Sequence, residues 1–110
     1  MRKPNRMDDT EFRQAYMEAA LESLLPSQLR FTRTQRELTQ GALALKAGVS
    51  LRTIQRLECQ DLKGIKLATL VKIAHALDIC LTVQFTSYTQ LKQQSNELSE
   101  FHLQIPPYTL

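Results

Sequence analysis

Gly48 stands between two apolar patterns that both repeat at helical spacing, and this arrangement limits the fold more than any other feature of the chain. The stretch is "TQGALALKAGVSLRTIQRLE", residues 39–58. Before the glycine, Leu43, Ala44 and Ala47 fall on one helix face; after it, Ile54 and Leu57 do the same. A glycine directly behind an apolar run suits the left-handed conformation that ends helices. Thr39 and Ser50 stand where each helix needs a cap. The reading is two short helices joined by a tight turn. Where they cross, the first needs a small side chain, which Ala44 supplies. Val49 plugs the gap under the turn, and Ile54 with Leu57 anchor the second helix.

The rest of the chain reads mainly helical. Asp8, Asp9 and Thr10 offer caps to "EFRQAYMEAALESLL", which puts Phe12, Tyr16, Ala19, Ala20 and Leu24 on one stripe. Pro26 is expected to close that helix, with a second over residues 27–38 facing Leu29 and Leu38 inward. "LATLVKIAHALD" predicts a further amphipathic helix through Leu67, Leu70, Ile73, Ala74 and Leu77, with His75 on its polar side. The period then changes. In "ICLTVQF", Ile79, Leu81, Val83 and Phe85 alternate with polar or small residues, a strand signature. A weakly patterned helix over residues 90–101 precedes the closing "IPPYTL".

Charge is unevenly placed. Residues 27–66 carry eight basic groups against three acids, whereas the 110 residues together carry a net +3. A positive field centred on the two short helices fits a polyanionic partner or a solvated basic face. Cys59 and Cys80 are expected to be packing residues and free thiols. With two distant His at unrelated spacings they make no metal site, and no cofactor is implied. No nucleophile stands with a base, so enzyme activity has no support. No apolar run reaches the ~18–20 residues that span a membrane, and no secretory signal is read at the start, which leaves the cytoplasm as the expected compartment.

The unit around Gly48 is a helix-turn-helix candidate. "LTQGALALKAGVSLRTIQRLE" followed by "LATLVKIAHALD" resembles the lambda-repressor/Cro-like (Xre) DNA-binding proteins over residues 29–78. The resemblance implies a compact helical DNA-binding domain, with Arg33 placed where the family has an arginine that pairs with the glutamate corresponding to Glu58. It also implies that Gln40 contacts the DNA backbone. The chain departs from the family pattern at Gly41-Ala42, where Glu is frequent; this removes a capping-box partner, and Gly41 weakens that helix by up to ~1 kcal/mol. Gly64 comes late after the second helix of the motif.

With Ile54 and Leu57 inward, Leu51, Arg52, Gln55 and Arg56 point away from the core as candidate base contacts. Either arginine can grip a guanine O6/N7 edge, and Leu51 can meet a thymine methyl group. Thr39, Gln40 and Thr53 are candidate backbone contacts, and a flexible basic arm of Arg2, Lys3 and Arg6 is a weaker one. A lone strand at Ile79, Leu81, Val83 and Phe85 needs a partner, and pairing with its own copy makes a homodimer. Two recognition helices then meet a palindrome with half-sites about 34 Å apart.

The expected organisation is an N-terminal arm and helix (1–26), a helix-turn-helix domain (27–78) and a C-terminal strand and tail (79–110). The expected function is a sequence-specific transcriptional regulator, a homodimeric repressor on double-stranded DNA. The alternative is the antitoxin of a toxin–antitoxin pair, which binds a toxin protein and autoregulates its operon.

Overall fold

The computed structural model describes residues 6–96 and 105–109. A 3-10 turn at Arg6–Asp8 leads into α1 (Thr10–Gln35), followed by α2 (Gln40–Ala47), α3 (Leu51–Glu58), α4 (Leu67–Leu77) and α5 (Tyr88–Asn96). Among the described residues there is no strand. The expected basic arm at Arg2 and Lys3 lies outside the described residues, as does the part of the expected C-terminal helix beyond residue 96.

The core gathers Leu29 of α1, Leu43, Ala44 and Ala47 of α2, Ile54 and Leu57 of α3, and Ile73, Ala76 and Leu77 of α4. α2 packs on both α3 and α4, while α1 packs on α3 and, through its N-terminal half, on α5. In that second contact the Arg13 guanidinium lies 5.7 Å from the centre of the Tyr88 ring, a cation–π arrangement.

Two expectations about the helices are corrected. Pro26 does not close a helix; it sits inside α1 and is buried. Proline removes one helical hydrogen bond and costs about 3 kcal/mol in a helix interior. Here the ring is buried and the C-terminal half of α1 docks on α3, so tertiary packing overrides the local signal. Ser27 Oγ donates to the Ser23 carbonyl at 2.6 Å one turn back. Leu67, expected on the inward face of α4, is 57% exposed, and Ala76 occupies the core instead. Leu67 is the first residue of α4, and the buried face of that helix is made further along, by Ile73, Ala74, Ala76 and Leu77. Cys59 and Cys80 are free thiols but exposed, not packed.

Four helices stop by one device. The residue after the last turn takes a positive φ at Glu37 (57°), Gly48 (71°), Gln60 (66°) and Asp78 (53°). The next N–H then reaches five residues back, from Leu38 to the Arg33 carbonyl (3.1 Å), Val49 to Ala44 (3.0 Å), Asp61 to Arg56 (2.9 Å) and Ile79 to Ala74 (3.0 Å). This is the Schellman closure, which satisfies carbonyls the helix leaves open. Leu38, Val49 and Ile79 then pack against the core, so each of those chain reversals is also a core contact.

Residues 79–87 carry no regular secondary structure within the single chain. Ile79 and Leu81 are half-buried, while Val83 and Phe85 are 70% and 108% exposed.

Candidate nucleic-acid interface

α2 starts because the Thr39 hydroxyl accepts the Ala42 N–H at 3.0 Å, and Gly48 ends it. α3 starts because Ser50 Oγ accepts the Thr53 N–H at 3.1 Å. A Cβ built on Gly48 would meet nothing within 4 Å, so the demand for glycine there is conformational and not one of space. Two capped helices of eight residues each are thereby fixed across a three-residue turn.

The inner face of α3 is held by Ile54 and Leu57, 0% and 2% exposed. Its C-terminal end is held by an ion pair. Arg33 Nε donates to Glu58 Oε2 at 2.7 Å and Nη2 to Oε1 at 2.9 Å, while Nη1 donates to the Leu38 carbonyl at 2.7 Å. All three guanidinium nitrogens are therefore used. The hydrogen bond to Glu58 holds the arginine above its ordinary pKa. Gln40 Nε2 joins from the first turn of α2, 3.3 Å from Glu58 Oε1. The four residues Arg33, Leu38, Gln40 and Glu58 thus tie α1, the following loop, α2 and α3 into one unit.

The outer face of α3 carries Leu51, Arg52, Gln55 and Arg56, all exposed. The Arg52 side chain forms no hydrogen bond or ion pair with any described residue. Thr53 is half-buried and its hydroxyl lies 2.8 Å from that of Ser50. Arg56 is engaged with the loop that follows: Nε donates to Asp61 Oδ2 at 2.9 Å and Nη2 to the Lys63 carbonyl at 3.0 Å. Asp61 is held below its ordinary carboxylate pKa, chiefly by the hydrogen bond from Arg56 and then by the Lys63 N–H. Asp61 and Lys63 had no place among the residues singled out from the sequence. The available signal was an acid five positions beyond Arg56, just past the helix end.

A basic, outward-facing helix seated on a second helix across a glycine turn is the geometry of a major-groove reader. The family model for the helix-turn-helix matches residues 29–82. This segment is a lambda-repressor/Cro-like (Xre) helix-turn-helix domain. The match supports a DNA-binding transcription regulator of that type. No curated protein matches the chain. In this domain α3 holds the place of the recognition helix and α2 that of the supporting helix. Among the described residues no helix is long and apolar enough to cross a membrane.

Proposed function

We propose that the chain is a homodimeric repressor that occupies a palindromic operator, working in the cytoplasm where the DNA is. One observation carries this reading: the outer face of α3 is exposed and positively charged while its inner face is fully buried. Arg52 reads a guanine edge, Leu51 meets a thymine methyl group and Gln55 reaches a neighbouring base. Arg56 belongs to the same surface. Thr39, Gln40 and Thr53 lie along the backbone-facing edge, with the N-terminus of α2 favouring a phosphate. Arg33, Ala44, Gly48, Val49, Ile54, Leu57 and Glu58 hold the motif.

Dimerisation falls to residues 79–85. Val83 and Phe85 present large apolar side chains to water from a segment without regular structure. Pairing Ile79, Leu81, Val83 and Phe85 with a second copy as an antiparallel ribbon would cover those side chains and satisfy the backbone. Fluorescence-anisotropy titration tests the reading, with the DNA upstream of its own gene against a shuffled duplex at two salt concentrations. Tight, salt-dependent binding that favours the upstream DNA is expected. Equal binding to both would overturn it.

A second reading is an antitoxin. Met17 and Leu21, 40% and 55% exposed, lie beside Glu18 and Glu22 on the part of α1 that precedes the matched domain. An exposed apolar pair flanked by acids suits a protein partner. Rescue from a neighbouring gene's toxicity that survives Arg52→Ala with Arg56→Ala would favour this reading.

A further inference from the structure

Arg52 and Arg56 stand one turn apart on the outer face of α3, yet among the described residues only Arg56 has partners. Its Nε meets Asp61 Oδ2 and its Nη2 meets the Lys63 carbonyl, at 2.9 and 3.0 Å. The remaining carboxylate oxygen of Asp61 accepts the Lys63 N–H at 3.2 Å. The Asp61 N–H returns to the Arg56 carbonyl at 2.9 Å. These bonds close a ring from the last turn of α3 through the loop and back.

We propose that Asp61 is a positioning residue for DNA recognition: it holds Arg56 against the loop after α3, as a phosphate contact, and leaves guanine recognition to Arg52. This rests on the reading that α3 enters the major groove. An arginine reads guanine with two N–H groups presented as a fork. Turning the Arg56 fork onto a base breaks its bonds to Asp61 and Lys63. It also leaves the Asp61 carboxylate bare beside the DNA phosphates, where like charges repel. Kept in place, the pair carries no net charge, and the arginine stays at the rim of the helix where the backbone passes.

An exposed ion pair adds little to folding, and both partners here are exposed, 44% and 42% at their side chains. Asp61 therefore directs Arg56 without being needed for the fold. Arg52 has no such tether and keeps its fork for a base.

The test selects duplexes randomised over their central base pairs with the full-length wild-type chain, Arg52→Ala, Arg56→Gln, Asp61→Asn, Asp61→Glu and the Asp61→Asn/Arg56→Gln double variant. The wild type is expected to enrich a motif whose guanine preference disappears in Arg52→Ala. Arg56→Gln should keep the motif, lower affinity for all duplexes alike and flatten the salt dependence. Asp61→Asn should gain a guanine preference of about tenfold at a position the wild type leaves open. The double variant should lose that gain, and Asp61→Glu, which keeps the carboxylate, should not show it. Asp61→Asn enriching the wild-type motif unchanged would overturn the proposal, as would Arg56→Gln erasing a guanine from it. Failure of the wild type to enrich any motif, or an unchanged motif in Arg52→Ala, would overturn the reading of α3 as well.

Discussion

α3 carries two arginine–carboxylate pairs, one beneath it and one on its rim, and the same chemistry does different work in each. Arg33 and Glu58 are 11% and 3% exposed at their side chains and meet in a two-pronged contact. Arg33 also binds the Leu38 carbonyl, and Glu58 also accepts from Gln40. Charges taken out of water are tolerable only when their hydrogen-bonding groups are satisfied in this way. Arg56 and Asp61 stand largely in solvent, where water screens them and holding two side chains still offsets most of the gain. The inner pair sets where α3 lies. The outer pair sets what α3 shows.

The largest effect is expected from breaking the inner pair. Glu58→Ala leaves the part-buried Arg33 guanidinium without its carboxylate, which should cost roughly 2 kcal/mol, a large share of the stability of a domain this small. A urea denaturation midpoint reads it. Glu58→Gln keeps an acceptor and should lose less. A Glu58→Ala protein as stable as the wild type would mean that Ile54 and Leu57 alone fix α3, and the comparison between the pairs would collapse.

The four helix ends offer a second break point of similar size. Gly48 is the only glycine among Glu37, Gly48, Gln60 and Asp78, all at positive φ with the same backward bond. Gly48→Val should destabilise by about 2 kcal/mol, since a β-branched residue resists that conformation. A Cβ at Gly48 meets nothing within 4 Å, so the first added carbon costs conformation and not space. Gln60→Gly should do the reverse and stabilise by about 1 kcal/mol, because it removes the same strain. Thermal melts of both variants decide it. A neutral Gly48→Val would show that the turn tolerates side chains and that the glycine serves no conformational purpose.

These helix ends also show what was legible in the sequence. The turn at Gly48, the caps at Thr39 and Ser50 and the inward run Leu43, Ala44, Ala47, Ile54 and Leu57 rest on local chemistry that a single strand of text displays. The ends at Glu37, Gln60 and Asp78 use the same conformation without its signature residue, so α1 was expected to end later and in two pieces. Pro26 misled for the opposite reason: its local cost is visible, and the burial that outweighs it is not. At the interface, the outward positions Leu51, Arg52, Gln55 and Arg56 follow from helical periodicity. What Arg56 is bonded to does not, because its partners lie in a loop with no period.

The outer pair makes the smallest change in stability and the most specific one. Asp61 has a folded-state pKa below the ordinary carboxylate value of 3.8. Above that value the carboxylate is ionised in folded and unfolded chains alike, and its whole contribution is present. As the pH falls below it, the unfolded chain takes up the proton first, so folding loses ground until the depressed folded value is passed. Asp61→Asn has no such proton to take up. The small stability gap between wild type and Asp61→Asn should hold steady through neutral pH and shrink on acidification. Added salt should shrink it too, because exposed charges are screened, while the cost of Glu58→Ala should barely respond. Thermal melts across a pH series at two ionic strengths read both. A gap that widened in acid would mean that the fold prefers the protonated Asp61, and a carboxylate that must be ionised to hold Arg56 could then no longer account for where that arginine sits.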